Sequence, residues 1–157
     1  MANPDSVSQF YLDSFGNGRI AVKQATALNT TGNATVTGIT LPLLGGGLTN
    51  ANATVGSGGV IVRRITVNNP IGNISNVVIS VTTSSDGNIS NAVVANTTLT
   101  NLTGAGIYQD LTIASPYNSS SAITGFTTQA LYVNVNTGSG NVANTATIAV
   151  FGDVVSF

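Results

Sequence analysis

The chain has 157 residues, of which only 6% are charged, and its four basic and five acidic side chains leave a net charge of −1 at pH 7; an ordinary soluble domain carries about 25% charged residues. Because it contains no cysteine and no histidine, disulfides, thiol nucleophiles, histidine bases and the usual zinc ligands are all excluded. So few basic residues also argue against nucleic-acid binding, and so small a net charge favours self-association.

The first eighteen residues (1–18) are predicted to form an N-terminal arm or docking segment. They contain three aromatic residues, Phe10, Tyr11 and Phe15, without the alternating pattern of a strand. These rings either dock onto another subunit, which would make them interface residues, or close one end of the domain. No cationic stretch followed by an apolar one is visible, so we expect synthesis in the cytoplasm without a signal peptide.

The remaining residues, 19–157, are predicted to form a single all-β domain. Strong helix formers are scarce, whereas Thr, Val, Ile and Asn are abundant. Short stretches in which apolar and polar residues alternate are separated by turn-forming residues, and 41–59 reads as a long loop rich in Gly and Asn. This pattern is typical of a β-sandwich or jelly roll of about nine short strands. The predicted strands are 19–28, 33–41, 59–67, 74–83, 90–100, 107–113, 121–128, 131–136 and 145–156.

One internal repeat is visible in the middle of the chain. The sequence GNISNVVISVTT at 72–83 matches GNISNAVVANTT at 87–98 in eight of twelve positions. Two copies are too few for a repeat architecture, which needs three or more units. We therefore interpret the copies as adjacent strands of one hairpin, joined by a turn that contains Asp86 and Gly87.

Arg63 and Arg64 lie within an otherwise apolar predicted strand, VIVRRITV. Neighbouring residues of a strand point to opposite faces, so one arginine must lean toward the apolar side unless a bulge intervenes. An arginine in that position requires a carboxylate or carbonyl partner, which a contact between subunits would supply. The other interpretation is an arginine at the end of a sheet that extends into solvent.

No catalytic, cofactor or metal site is predicted. The five aspartates are scattered along the chain, so a pair of catalytic carboxylates could arise only through the tertiary fold. The glycine clusters at 45–47 and 56–59 lack the Lys-Ser/Thr of a phosphate loop. No stretch approaches eighteen consecutive apolar residues, so no membrane-spanning segment is expected. These observations favour a structural protein over an enzyme.

The stretch VRRITVNNPIGNISNVVISVTTSSDGNISNAVVANTTLTNL at 62–102, with TATIAVFGDVVSF at 145–157, resembles the small head decoration (cement) proteins of tailed bacteriophages, particularly phages of marine bacteria and cyanobacteria. The resemblance implies a β-rich homotrimer on the outer capsid surface of the virion that clamps neighbouring subunits of the major capsid protein. It implies no catalytic residues and no cofactor.

A second function is also compatible with the sequence. A carbohydrate-binding or host-adhesion module, such as a tail-fibre domain, could stack sugars on exposed tyrosines, for which Tyr108, Tyr117 and Tyr132 are the candidates. Affinity for glycans without affinity for capsids would favour this alternative.

Overall fold

The computed structural model describes residues 18–28, 36–42, 58–114, 130–139, 141 and 143–156. Within these ranges the chain forms eight strands, and a single turn of 3-10 helix at Ile89–Asn91. They confirm eight of the predicted strands, while the ninth, 121–128, lies outside the described residues. The strands are β1 (Gly18–Ala27), β2 (Val36–Pro42), β3 (Gly58–Ile71), β4 (Val78–Thr82), β5 (Ala92–Thr98), β6 (Tyr108–Leu111), β7 (Ala130–Thr137) and β8 (Thr145–Ser156).

The strands form two antiparallel four-stranded sheets. Sheet I has the order β1-β8-β3-β6, and sheet II has the order β2-β7-β4-β5. The pairing is nested, because the first strand pairs with the eighth, the second with the seventh, the third with the sixth and the fourth with the fifth. The all-β sandwich predicted from the sequence is thereby confirmed.

One hydrophobic core lies between the two sheets. Residues of both sheets belong to it, and the alternation predicted for β7 is observed: Leu131, Val133 and Val135 are fully buried. From sheet I, Ile65 and Ile148 pack into the same core. Burying one such side chain contributes about 1.5–3 kcal/mol, so packing supplies the stability that disulfides cannot. No helix in the described part of the chain is long and apolar enough to cross a membrane.

β3 continues through Asn68-Asn69-Pro70, beyond residue 67, where the predicted strand ends. Asn69 has a positive φ of 51°, and the pairing of β3 with β8 shifts register between Asn68 and Ile71. Proline has no N–H to donate to a sheet and is tolerated at such an irregularity. The Asn-Asn-Pro segment therefore forms a bulge inside one long strand and does not end it.

The two copies of the internal repeat begin with similar turns. Each begins with a glycine of positive φ, 81° at Gly72 and 73° at Gly87. In each, the following asparagine, Asn73 or Asn88, accepts a hydrogen bond from the backbone N–H two residues further on, at 3.0 Å. These turns lead into β4 and β5, which pair with each other. The hairpin interpretation is confirmed, and the turns explain why β4 begins later than predicted.

One end of the sandwich is closed by contacts among its connecting segments. Asn144 is buried, and its Nδ2 donates to the backbone carbonyl of Asn73 at 3.1 Å. Its own carbonyl accepts the N–H of Leu28 at 3.2 Å. Gly72 lies directly against the Asn144 side chain. Asn144 thus joins three connections that are distant in sequence.

Candidate interaction surface

Arg63 and Arg64 lie at a β-bulge in β3. Val62 pairs with Gly152 of β8, whereas Arg64 pairs with the adjacent Phe151, so Arg63 is the extra residue. The apolar residues on either side of the two arginines are both buried, while Arg63 is exposed and Arg64 is half-buried. The bulge therefore lets both core residues point inward and both arginines point away from the core.

Arg64 finds its carboxylate partner within the chain. Its Nε and Nη2 donate to Oδ1 and Oδ2 of Asp110 in β6, at 2.8 and 3.0 Å. The guanidinium carbon also lies 5.7 Å from the centre of the Tyr108 ring, a distance at which a cation attracts an aromatic face. Since Asp110 supplies the required partner, no neighbouring subunit is needed for that purpose.

The outer face of sheet I carries these side chains together with several apolar ones. We define this face by the side chains of β1, β3, β6 and β8 that alternate with core residues. Strand pairing places Arg19, Phe151 and Arg64 in one cross-strand row. Tyr108 and Ile71, both about 60% exposed, lie on the same face toward the other end of the strands. The apolar members of the face are Val22, Ile71, Tyr108, Ala149 and Phe151.

The outer face of sheet II has a different character. Asn134 of β7 is only 1% exposed; its Oδ1 accepts the N–H of Gly38 at 2.9 Å, and its Nδ2 donates to Thr82 at 3.1 Å and to Ser80 at 3.5 Å. Asn136, next on this face, donates to Ser80 at 3.2 Å. The amides and hydroxyls on the outer face of sheet II therefore find most of their hydrogen-bond partners within the chain. The outer face of sheet I is thus better suited to binding a partner.

Both aspartates whose side chains the structure describes have structural roles. Asp110 is engaged by Arg64, and Asp86 accepts the backbone N–H of Asn88 at 2.9 Å. Within the described ranges, no group of three His, Cys, Asp or Glu side chains lies close enough to hold a metal ion. The described carboxylates thus stabilise strands and turns, and they are not arranged as an acid–base pair.

The carboxyl of Asp86 should give the protein a small acid sensitivity. The backbone N–H of Asn88, and then the Ser84 side chain, hold the pKa of Asp86 below its usual value because both favour the ionised form. The ionised carboxyl of Asp86 therefore stabilises the fold at pH values above its pKa in the unfolded chain, about 4. This stabilisation is lost as pH falls through the lower pKa of Asp86 in the folded protein.

We expect the variant Asp86→Asn to show a shallower fall in melting temperature between pH 5 and pH 2.5 than the parent chain. Thermal unfolding followed by circular dichroism at several pH values measures this difference. Parallel curves for the two proteins over that range would contradict the role of the Asp86 carboxylate.

The structure brings together only part of the predicted interface. Arg63 and Arg64 lie side by side at the bulge, whereas Phe10, Tyr11 and Phe15 lie outside the described residues. Phe151 was not singled out from the sequence, although it lies in one row with two arginines. Its position within the alternating pattern of 145–156 was the available signal, because Ile148 and Val150 mark the buried face and Phe151, one residue after Val150, falls on the opposite face.

Comparisons with known proteins leave this surface without a relative to explain it. No protein-family model, no curated protein and no solved structure matches the chain.

Proposed function

We propose that the protein is a non-enzymatic virion component, a decoration protein that binds the outer surface of a capsid and stabilises contacts between major capsid subunits, with a homotrimer as its assembled form. The observation that carries this proposal is the outer face of sheet I, where Tyr108 and Ile71 are exposed and the β3 bulge directs Arg63 and Arg64 away from the core. Such a face can bury apolar area, and because Asp110 already pairs with Arg64 within the chain, binding need not bury that arginine without a partner.

The nested strand order supports the same proposal. The two four-stranded sheets are ordered 1-8-3-6 and 2-7-4-5. Wrapping four paired strands into a sandwich gives this order, and on that ground we propose a jelly roll as the finer architecture. Jelly rolls build viral capsid proteins and also lectins. Because one fold can host many functions, the function depends on the surface that the fold presents.

The dimensions of the face suit a protein partner. Four strands about 4.8 Å apart and alternate residues along them cover roughly 20 Å by 25 Å. A standard interface buries about 800 Å² on each partner, so the face together with its rim is of the right order. Aromatic and arginine side chains, here Tyr108, Phe151 and Arg64, are the residue types that dominate binding energy at interfaces.

We predict that replacing Tyr108 with serine weakens capsid binding at least tenfold, because the exposed ring would be an anchor at the interface. The measurement is cosedimentation of purified protein with expanded capsids that lack it, across a range of concentrations. The melting temperature of the isolated protein should barely change, since the ring is 59% exposed.

The matched control is Ile89→Ser. Ile89 is also a large exposed apolar residue, at 50%, but it lies in the connection between β4 and β5 of sheet II. We expect its replacement to leave cosedimentation unchanged. Equal losses in both variants, or none in either, would remove the outer face of sheet I from the proposal.

A carbohydrate-binding role is the second candidate, and Tyr108 is the observation that favours it. The Arg64 guanidinium lies over the Tyr108 ring, and exposed tyrosines can stack on sugars. A glycan array distinguishes the two functions. Strong glycan binding that Tyr108→Ser abolishes, with no capsid cosedimentation, would support adhesion in place of decoration.

A further inference from the structure

β3 is much longer than the strand beside it at the edge of sheet I. It spans Gly58–Ile71 and pairs with β8 over nearly its whole length, but β6 pairs with it only from Ile65 to Asn68. Among the described residues, the segment Gly58–Arg64 therefore has a strand on one side only. We call this segment the β3 edge.

β6 cannot extend to cover the β3 edge, because the chain after it turns to the other sheet. Leu111 is its last paired residue, and the N–H of Ala114 already donates to the carbonyl of Val93 in β5 at 2.8 Å. Within the part of the chain that the structure describes, the β3 edge thus has a row of backbone N–H and C=O groups without a strand partner along about 20 Å. Such a row of groups is a template for pairing with another strand.

We propose that the β3 edge is occupied by the N-terminal segment of a second copy of this chain, through residues Asp5–Asp13. This stretch has apolar residues in its middle and an aspartate at each end, and residues 1–17 contain no basic side chain. Of the charged side chains that the structure describes near the end of the β3 edge, three are arginines, Arg19, Arg63 and Arg64, and one is an aspartate, Asp110, which pairs with Arg64. An acidic strand therefore suits the net positive charge of this region. The inference rests on this edge and on the charges, and it holds whether or not the protein binds a capsid.

The sheet geometry favours a second copy as the source of the segment. Gly18 pairs with Gly152, which pairs with Val62, so β1 begins on the same row as the β3 edge but on the opposite side of the sheet. A strand added beside β3 would lie three strand spacings, about 14 Å, from β1. Five Cα–Cα steps join Asp13 to Gly18 and span at most about 18 Å when fully extended, so a segment of the same chain would have to cross about 14 Å, rise over Phe151 and return within that length.

The chain contains no cysteine, so introduced pairs give a clean test in the full-length protein. The double variant Gln9→Cys/Ile61→Cys places one thiol in the middle of Asp5–Asp13 and the other in the middle of the β3 edge. Placing the first cysteine at Ser8 or Phe10 instead of Gln9 tests the neighbouring registers of strand pairing. We expect covalent dimers or larger species on a non-reducing gel in one register. The matched control is Gln9→Cys/Thr98→Cys, where Thr98 lies on the edge strand of sheet II.

The outcomes separate the sources of the strand. Cross-linking between chains at position 61 and not at position 98 supports the proposal. A cross-link confined within one chain overturns it, as would equal cross-linking at both positions or none in any register.

A second test does not depend on cysteine chemistry. Sedimentation velocity at low salt should show self-association weakened about tenfold in the double variant Asp5→Asn/Asp13→Asn. Unchanged association of that variant would contradict the role of the aspartates.

Discussion

Replacing Asn134 with leucine is expected to lower the free energy of unfolding by about 3 kcal/mol, although leucine is apolar and similar in size. The Asn134 side chain is fully buried and holds the N–H of Gly38 at 2.9 Å. Leucine would leave this half-buried N–H, at a bulge of β2, without its partner, and it would also remove the amide that donates to the buried hydroxyls of Thr82 and Ser80. Each buried polar group left unsatisfied costs about 1–3 kcal/mol. Urea unfolding followed by circular dichroism measures the change.

Asn136→Leu is the control for the Asn134 variant. Asn136 lies two residues further along β7 on the same face, and its Nδ2 donates to Ser80 at 3.2 Å and to Asn96 at 2.9 Å. Because Asn136 is half-buried, Asn96 is exposed to water and Ser80 keeps the hydrogen bond from Asn134, we expect a loss below about 1 kcal/mol. If the Asn134 variant lost no more free energy of unfolding than this control, the hydrogen bonds of Asn134 would not explain why an asparagine lies at the centre of sheet II.

Gly72→Ala is predicted to destabilise the fold by about 3 kcal/mol. Its φ of 81° strains any residue with a Cβ, at a cost of about 1–2 kcal/mol. The added carbon would also lie 2.9 Å from Cγ of Asn144 and would displace a side chain that joins three connections. The lost hydrogen bond from Asn144 to Asn73 adds the rest.

Two other glycines separate the contributions of strain and displacement. Gly106 has nearly the same φ, 79°, but a Cβ there would meet nothing within 4 Å, and Gly104 has neither constraint. Gly106→Ala should therefore cost about 1 kcal/mol, and Gly104→Ala should be neutral or slightly stabilising. Chemical denaturation of all three variants checks the order, and a Gly72 variant no less stable than the Gly106 variant would contradict the role given to Asn144.

Much of the fold could be predicted from the sequence because the strands follow a simple period. In β7 and β8, alternating apolar residues mark the buried positions, and the bounds of β8 agree with those predicted. The repeat correctly placed β4 beside β5, since a hairpin needs only local information. The assignment of strands to two sheets was not predictable, because it depends on pairs such as β1 and β8 that are far apart in sequence.

The surfaces were harder to predict than the strands. Alternation in β7 placed Asn134 on an outer face of the sandwich. Nothing in the local sequence showed that Asn134 would be buried there or that it would accept the N–H of Gly38 in β2. Likewise, the sequence showed that a bulge could reconcile Arg63 and Arg64 with a buried strand, but not that Asp110 of β6 would bind Arg64. Both features require knowledge of which strands become neighbours, and a period of two carries no such information.

The nested pairing of strands also determines how quickly this protein can reach its structure. Among the described strands, β1 lies at one border of sheet I and pairs with β8 alone, so the first of these strands to be synthesised waits for the last of them. Folding dominated by such distant pairings typically takes milliseconds to seconds. The domain therefore completes its folding only after β8 has left the ribosome, and until then β1 is exposed to association with other nascent chains.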